Sequence, residues 1–374
     1  MKTRFLLILA ACCFPGHLNA QGPLQWPGFG VEANLWGNRM IRHTSTFTGP
    51  LSSFTSALEI NLIKKTFGQK DWQIRRKFPQ PGLGLIYINY HVPDVYGELV
   101  GIYPNITLPL IRRKNLELSF RAGMGVGYFT RPYARTPVPN LKNVAIGGHF
   151  NNVSPFSLDA RISLNRHWDV QAGFNFAHVS NAAFQQPNLG INIWGAHVGM
   201  RYFPVTSKPE KIQRLPIRLS DRWLLQARAG MAFVERQPAN GPLYPTYMTA
   251  LFASKRYLSK NKIALGLDYA YLTDMYVFLK AIGAHTGREK THAYQLAAFA
   301  GHEFIYGRVG LLFQAGVYLK EPYGQKNRLY QKLGGNFYVL QRETGLLKEV
   351  FFGAYLKTHL FVAERFEMNI GIGI

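Results

Sequence analysis

Residues 116–128 read Leu-Glu-Leu-Ser-Phe-Arg-Ala-Gly-Met-Gly-Val-Gly-Tyr. In a β-strand, successive side chains point to opposite faces. Leu116, Leu118, Phe120, Ala122, Met124, Val126 and Tyr128 therefore make one apolar face, and Glu117, Ser119, Arg121, Gly123, Gly125 and Gly127 the other. An apolar face backed by a small or charged one suits a barrel whose outside meets lipid and whose inside does not. The same alternation predicts strands over 29–42, 53–65, 82–92, 98–111, 115–129, 155–165, 168–180 and 191–203. After a Pro-, Lys- and Arg-rich stretch, 204–220, it resumes over 222–235, 245–258, 262–278, 291–305, 308–320, 328–340, 349–361 and 365–374.

Outside the N-terminus no apolar run reaches the roughly 18 residues that a membrane helix needs. The N-terminus itself has a basic start (Lys2, Arg4), an apolar run over 5–14 and a small-residue end at Ala20. That is the pattern of an export signal cleaved after Ala20, and Leu9-Ala10-Ala11-Cys12 offers a lipoprotein box as the alternative. Cys12 and Cys13 both fall inside the signal, so the mature chain would hold no disulfide and no thiolate nucleophile. Export without a helical anchor, together with aromatic-rich alternation, predicts an all-β, transmembrane, antiparallel outer-membrane barrel. A secreted β-sandwich is the competing reading.

The segments sort as a signal (1–20), a first barrel half (21–204), a linker (205–220) and a second half (221–374). Gly49-Pro50-Leu51 and Gly241-Pro242-Leu243 each lead into the second strand of their half, an echo that suggests duplication. One ring of about 16 strands is the favoured closure, and two fused barrels of about eight strands the alternative. The chain carries 43 Lys+Arg against 20 Asp+Glu. For an exported chain this excess points to anionic lipid or polysaccharide as partner and makes nucleic acid a poor fit. Tight turns at 112–114 and 165–167 against long loops at 130–154 and 181–190 put the long loops outside the cell.

The candidate chemistry lies at the end of the strand 168–180. His178 and Ser180 share a face with Phe176, Phe174, Ala172 and Val170, the apolar and hence lipid-facing row. A serine hydroxyl needs a base to take its proton, and the base needs a third group to hold its tautomer. A hairpin through 181–190 returns Asn192 to the same row beside His178, where its amide oxygen can accept the imidazole N–H. Asn181 can offer a side-chain amide or a backbone N–H to the oxyanion. His197 is expected to bond inside the lumen. His302-Glu303 and His91 lack metal spacing, and no cofactor is expected. His359 takes the place of His178 in the second half but lacks the serine, which marks that copy as inert. Gly123-x-Gly125-x-Gly127 has no following helix and so reads as strand glycine that admits lumen side chains, not as a phosphate loop.

His178-Val179-Ser180-Asn181 followed by Gln186-Pro187-Asn188-Leu189-Gly190-Ile191-Asn192 resembles the lipid A 3-O-deacylase family, and the span of about 28–203 resembles its acyloxyacyl-hydrolase-type relatives. The resemblance implies an outer-membrane barrel that hydrolyses an acyl ester of lipid A, with Ser180 as nucleophile and His178 as base. It also directs attention to Asn181 and Asn188 as oxyanion or substrate-binding residues. The family's usual glutamate falls at Asn192, so the expected triad is Ser-His-Asn. Outer membrane phospholipase A also resembles this core, with an asparagine twelve residues past its serine. Its residues after the Ser-Asn pair are replaced here by Ala182 and Ala183, so its calcium dependence does not carry over. A non-catalytic pore with a relic site is the alternative of a different class.

Overall fold

The computed structural model describes residues 27–204, 210–212, 214–236, 238–321, 323, 327–360 and 362–374. The signal and its cleavage point at Ala20 lie outside the described residues. The first half contains β1 (Phe29–Ile41), β2 (Thr55–Lys64), α1 (Asp71–Arg75), β3 (Gln80–Asn89), β4 (Glu98–Arg112), β5 (Leu116–Gly123), β6 (Gly125–Phe129), β7 (Phe150–Ser163), β8 (Trp168–Ser180) and β9 (Ile191–Tyr202). All pairings are antiparallel. β5 and β6 are two halves of one path, both lying between β4 and β7. β9 then returns to β1, from Val31↔Tyr202 to Ile41↔Asn192, and closes the ring.

The second half contains β10 (Trp223–Glu235), β11 (Leu243–Tyr257), β12 (Asn261–Leu272), α2 (Thr273–Ala281), α3 (Glu289–His292), β13 (Tyr294–Tyr306), β14 (Val309–Lys320), β15 (Leu329–Gln341), β16 (Glu349–His359) and β17 (Val362–Gly373). These eight strands form a closed barrel in sequence order. Of the two expected architectures the chain therefore has the second, two fused barrels. The single ring of about 16 strands does not form because β9 pairs with β1 and β17 with β10, which satisfies every ladder within its own half. Closure is what lipid demands, since an unpaired strand edge has no water to bond. The predicted strand 262–278 stops at Leu272, where Thr273–Ala281 turns into a helix whose first turn carries Asp274, bonded by Arg236 Nε at 2.7 Å.

Burial alternates as the sequence requires. Leu35, Ile102, Phe174 and Val198 on the first barrel are exposed outward, as are Leu225, Leu251, Phe313 and Ile370 on the second, an apolar exterior suited to lipid. The lower lumen of the first barrel is ionic. Arg121 Nη2 donates to Glu59 at 2.8 Å and Nη1 to Glu32; Arg161 Nη1 meets Glu117 at 2.6 Å. His197 Nε2 lies 2.9 Å from Asp159, as expected of a lumen residue. Tyr103 lies across Gly123 and Gly125, where any Cβ would come within 2.5 Å of it. The upper lumen is instead an apolar plug in which Trp36, Ile88, Tyr90, Tyr96 and Ile146 pack on Val179 and Ile191. The second lumen is packed with its own ion pairs, among them Lys262–Glu349 at 2.6 Å and Lys332–Glu367 at 2.8 Å. Two small spaces between these side chains, of about 20 and 10 Å³, are on the scale of a single water molecule.

The barrels touch at both ends. At the end carrying the tight turns, Arg76 reaches Ile305 O at 3.1 Å and Asn261 Oδ1 at 3.0 Å, and Ile212 N of the connecting stretch donates to Phe67 O of the first barrel. At the other end, the β8–β9 loop meets the top of β10.

Candidate active site

β8 runs through the plug's wall with Ala177 and Val179 inward and His178 outward. Register pairs His178 with Asn192 and Phe176 with Trp194. Phe174 is 69 % exposed and Trp194 42 %, so the row that holds these residues is the outer face, as strand parity predicts. Along it, His178 Nε2 lies 2.8 Å from Ser180 Oγ and His178 Nδ1 lies 2.6 Å from Asn192 Oδ1. An amide oxygen against Nδ1 requires the proton there and leaves the Nε2 lone pair free to accept from the serine hydroxyl. Three residues from two adjacent strands are thus joined into one chain of hydrogen bonds. That is the condition under which polar groups are tolerated on such a face.

The hairpin that joins these strands folds back over the serine, which is only 4 % exposed. Gly190 has φ +76°, and a Cβ there would lie 3.0 Å from His178 Cε1 and 3.3 Å from Ser180 Cβ. Glycine is required by both backbone and space. Ala145 O accepts from Gly190 N at 3.0 Å, and His43 Nε2 lies 2.8 Å from Leu189 O. Inside the loop, Asn181 N donates to Asn188 Oδ1 at 2.8 Å, and Gln185 N donates to Asn181 Oδ1 at 3.3 Å.

These bonds separate the roles expected of the two asparagines. The backbone N–H of Asn181 is occupied by Asn188, which leaves the side-chain amide as the available donor. Asn181 Nδ2 is buried and has no hydrogen-bond partner among the described residues. A buried donor left unmatched one residue along the chain from Ser180 calls for an explanation. Asn188 acts on the loop's own main chain.

On the neighbouring strand β1, Arg39 faces outward with its guanidinium 4.9 Å from the Trp194 ring centroid. In the second barrel, His359 has no comparable setting. It turns inward, with Nε2 2.8 Å from Tyr318 Oη and Nδ1 3.3 Å from Glu364. His302 bonds Tyr257 Oη at 2.6 Å and His91 bonds Ser56 Oγ at 2.9 Å. Sequence reasoning found the three residues of the hydrogen-bonded chain. It missed His43, Ala145 and Glu235, which hold the loop from distant segments and carry no local signal.

A family model described as lipid A 3-O-deacylase (PagL) matches residues 57–201, and one described as the acyloxyacyl hydrolase C-terminal domain matches residues 221–374. None of the curated proteins compared matches the chain. Among solved structures, the crystal structure of the outer membrane enzyme PagL shares 16 % identity over 47 % of this chain and 99 % of its own, with a TM-score of 0.32. The β domain of the Bordetella autotransporter BrkA shares 9 % over 92 % of this chain and 98 % of its own, at 0.24. The Acinetobacter baumannii outer membrane protein Omp33 shares 8 % over 93 % and 97 %, at 0.16.

Proposed function

The chain belongs to the lipid A 3-O-deacylase (PagL) family of outer-membrane barrels, and from that premise we propose that it is a serine esterase that removes an acyl chain from lipid A within the outer leaflet. The observation that carries this reading is the hydrogen-bonded chain Ser180–His178–Asn192 on the lipid-facing row. A lipid whose acyl chains already lie in the leaflet meets such a row without leaving the membrane. Arg39 supplies a cation beside it for the substrate's phosphate.

In the reaction, Ser180 Oγ attacks the ester carbonyl while His178 Nε2 takes its proton. His178 Nδ1–H donates to Asn192 Oδ1 throughout, which holds the ring and its tautomer. The carbonyl oxygen becomes an oxyanion, and the role of its donor falls to Asn181 Nδ2, a reading supported by that amide's being buried and unmatched among the described residues. Collapse breaks the bond to the sugar oxygen, which leaves as an alcohol with the proton from His178. Water then attacks the acyl-serine, with His178 again as base, and frees the fatty acid. Asn192 is neutral and stabilises imidazolium less than a carboxylate would, so turnover below that of a Ser-His-Glu site is expected.

A long-chain alkyl fluorophosphonate tests the nucleophile. The adduct should map to the peptide containing Ser180, vanish in Ser180→Ala and form far more slowly in His178→Ala. Labelling elsewhere, or labelling indifferent to His178, removes the triad. The pore alternative finds no support in the second lumen, where described side chains fill the space with ion pairs.

A further inference from the structure

Among its described residues the second barrel has no copy of the Ser180 site, yet it reaches the loop that covers Ser180. Glu235 ends β10 and is 3 % exposed. One carboxylate oxygen accepts from Gln186 N at 2.5 Å and the other from Gly241 N at 2.6 Å. The main chain of Glu235 donates to Ala183 O at 3.0 Å, and Gln186 Nε2 donates to Glu235 O at 3.4 Å. No Lys or Arg pairs with this carboxylate among the described residues, and the adjacent Arg236 turns to Asp274. A buried carboxylate held by main-chain N–H groups makes strong, charge-assisted bonds.

The loop has reason to need such a hold. Ala182 and Ala183 lie at φ +54° and +63°, a region that is strained for an L-residue and persists only where surroundings enforce it. These two residues directly follow Asn181, the buried unmatched donor beside the nucleophile. Ala183 lies within the turn that Gln185 N closes on Asn181 Oδ1, and Gln186 directly follows it.

We propose that Glu235 is a positioning residue for the first barrel's active site, and that the second barrel's contribution to catalysis is to clamp the loop 181–190 that presents Asn181 and Gly190 to Ser180. The proposal rests on the esterase reading above. It gives the fused architecture a catalytic purpose without a second site. Glu235 touches no reacting atom and acts only through the loop.

The test compares Glu235→Ala, Glu235→Gln and, as a control at the same end of the second barrel, Arg236→Gln. Each is assayed as the full chain on lipid A micelles, with amide hydrogen exchange followed over 182–190. Glu235→Ala is expected to lower kcat roughly 10- to 100-fold, the scale of one lost charge-assisted bond, with KM nearly unchanged and faster exchange at Gln186. Glu235→Gln keeps one acceptor oxygen and should recover part of the loss, and Arg236→Gln should match wild type. Should Glu235→Ala fail to fold, Glu235→Gln decides alone: a kcat down at least about threefold supports the clamp and full activity overturns it. Unchanged or raised kcat in a folded Glu235→Ala overturns the clamp while leaving the esterase intact. A wild type that labels with fluorophosphonate but never deacylates lipid A removes both readings.

Discussion

Asn192→Ala isolates the orienting group. In wild type its Oδ1 lies 2.6 Å from His178 Nδ1. The bond becomes charge-assisted when His178 takes the serine proton, and such bonds contribute about 1.5–3 kcal/mol. At 1.36 kcal/mol per decade the loss predicts a kcat lower by roughly 10- to 150-fold. Freeing the ring to put its proton on Nε2 adds a tautomer penalty, and triads with a mismatched orienter lose up to about 10⁴. KM should hardly move, because the bond strengthens only in the transition state. The β8–β9 ladder is made by main-chain groups and stays intact, so heat-resistant barrel mobility on gels and circular dichroism should be unchanged. Asn192→Glu should match or exceed wild type, since a carboxylate stabilises the imidazolium. The assay is fatty-acid release from lipid A in mixed micelles, read at several substrate concentrations. A folded Asn192→Ala with wild-type kcat would refute the reasoning and remove Asn192 from the mechanism.

Three further perturbations follow from the same contacts. Asn181→Asp keeps an acceptor oxygen for Gln185 N but removes the unmatched donor; kcat should fall about 10²- to 10³-fold, as for a lost oxyanion donor, with fluorophosphonate labelling of Ser180 retained. Gly190→Ala forces a Cβ to 3.0 Å from His178 Cε1 at a positive φ; activity should be nearly abolished while thermal unfolding shifts little, and a fully active variant contradicts the loop geometry. Arg121→Ala takes from buried Glu59 its cation partner among the described residues, while Glu32 keeps Arg201 at 3.3 Å; denaturant unfolding should report a loss of about 3–5 kcal/mol, the scale for one partner removed from a buried pair, and a loss under about 1 kcal/mol denies the Arg121–Glu59 pair its structural role.

The strands were legible because period-2 alternation is a local property: β8 runs over Trp168–Ser180, the span its apolar row marks out. The barrel count was not legible, because alternation is the same whether β9 pairs with β1 or with β10, and only long-range pairing decides. Tyr269 to Phe278 reads as strand by its aromatic content, yet a helix begins at Thr273 and is held by Arg236, 38 residues away. At the site, parity gave the outward row and the hairpin gave Asn192 its partner. Glu235 stayed hidden. A glutamate at a strand end looks like a solvated cap, and its partner Gln186 lies 49 residues back in a separately closed barrel.

The most direct test of the central claim is the mass of lipid A after exposure to the purified protein. Wild type should convert lipid A to a species lighter by one hydroxyacyl chain, with an equal yield of free hydroxy fatty acid, and Ser180→Ala should leave it intact. Lipid A unchanged by wild type, or shortened equally by Ser180→Ala, would contradict the account.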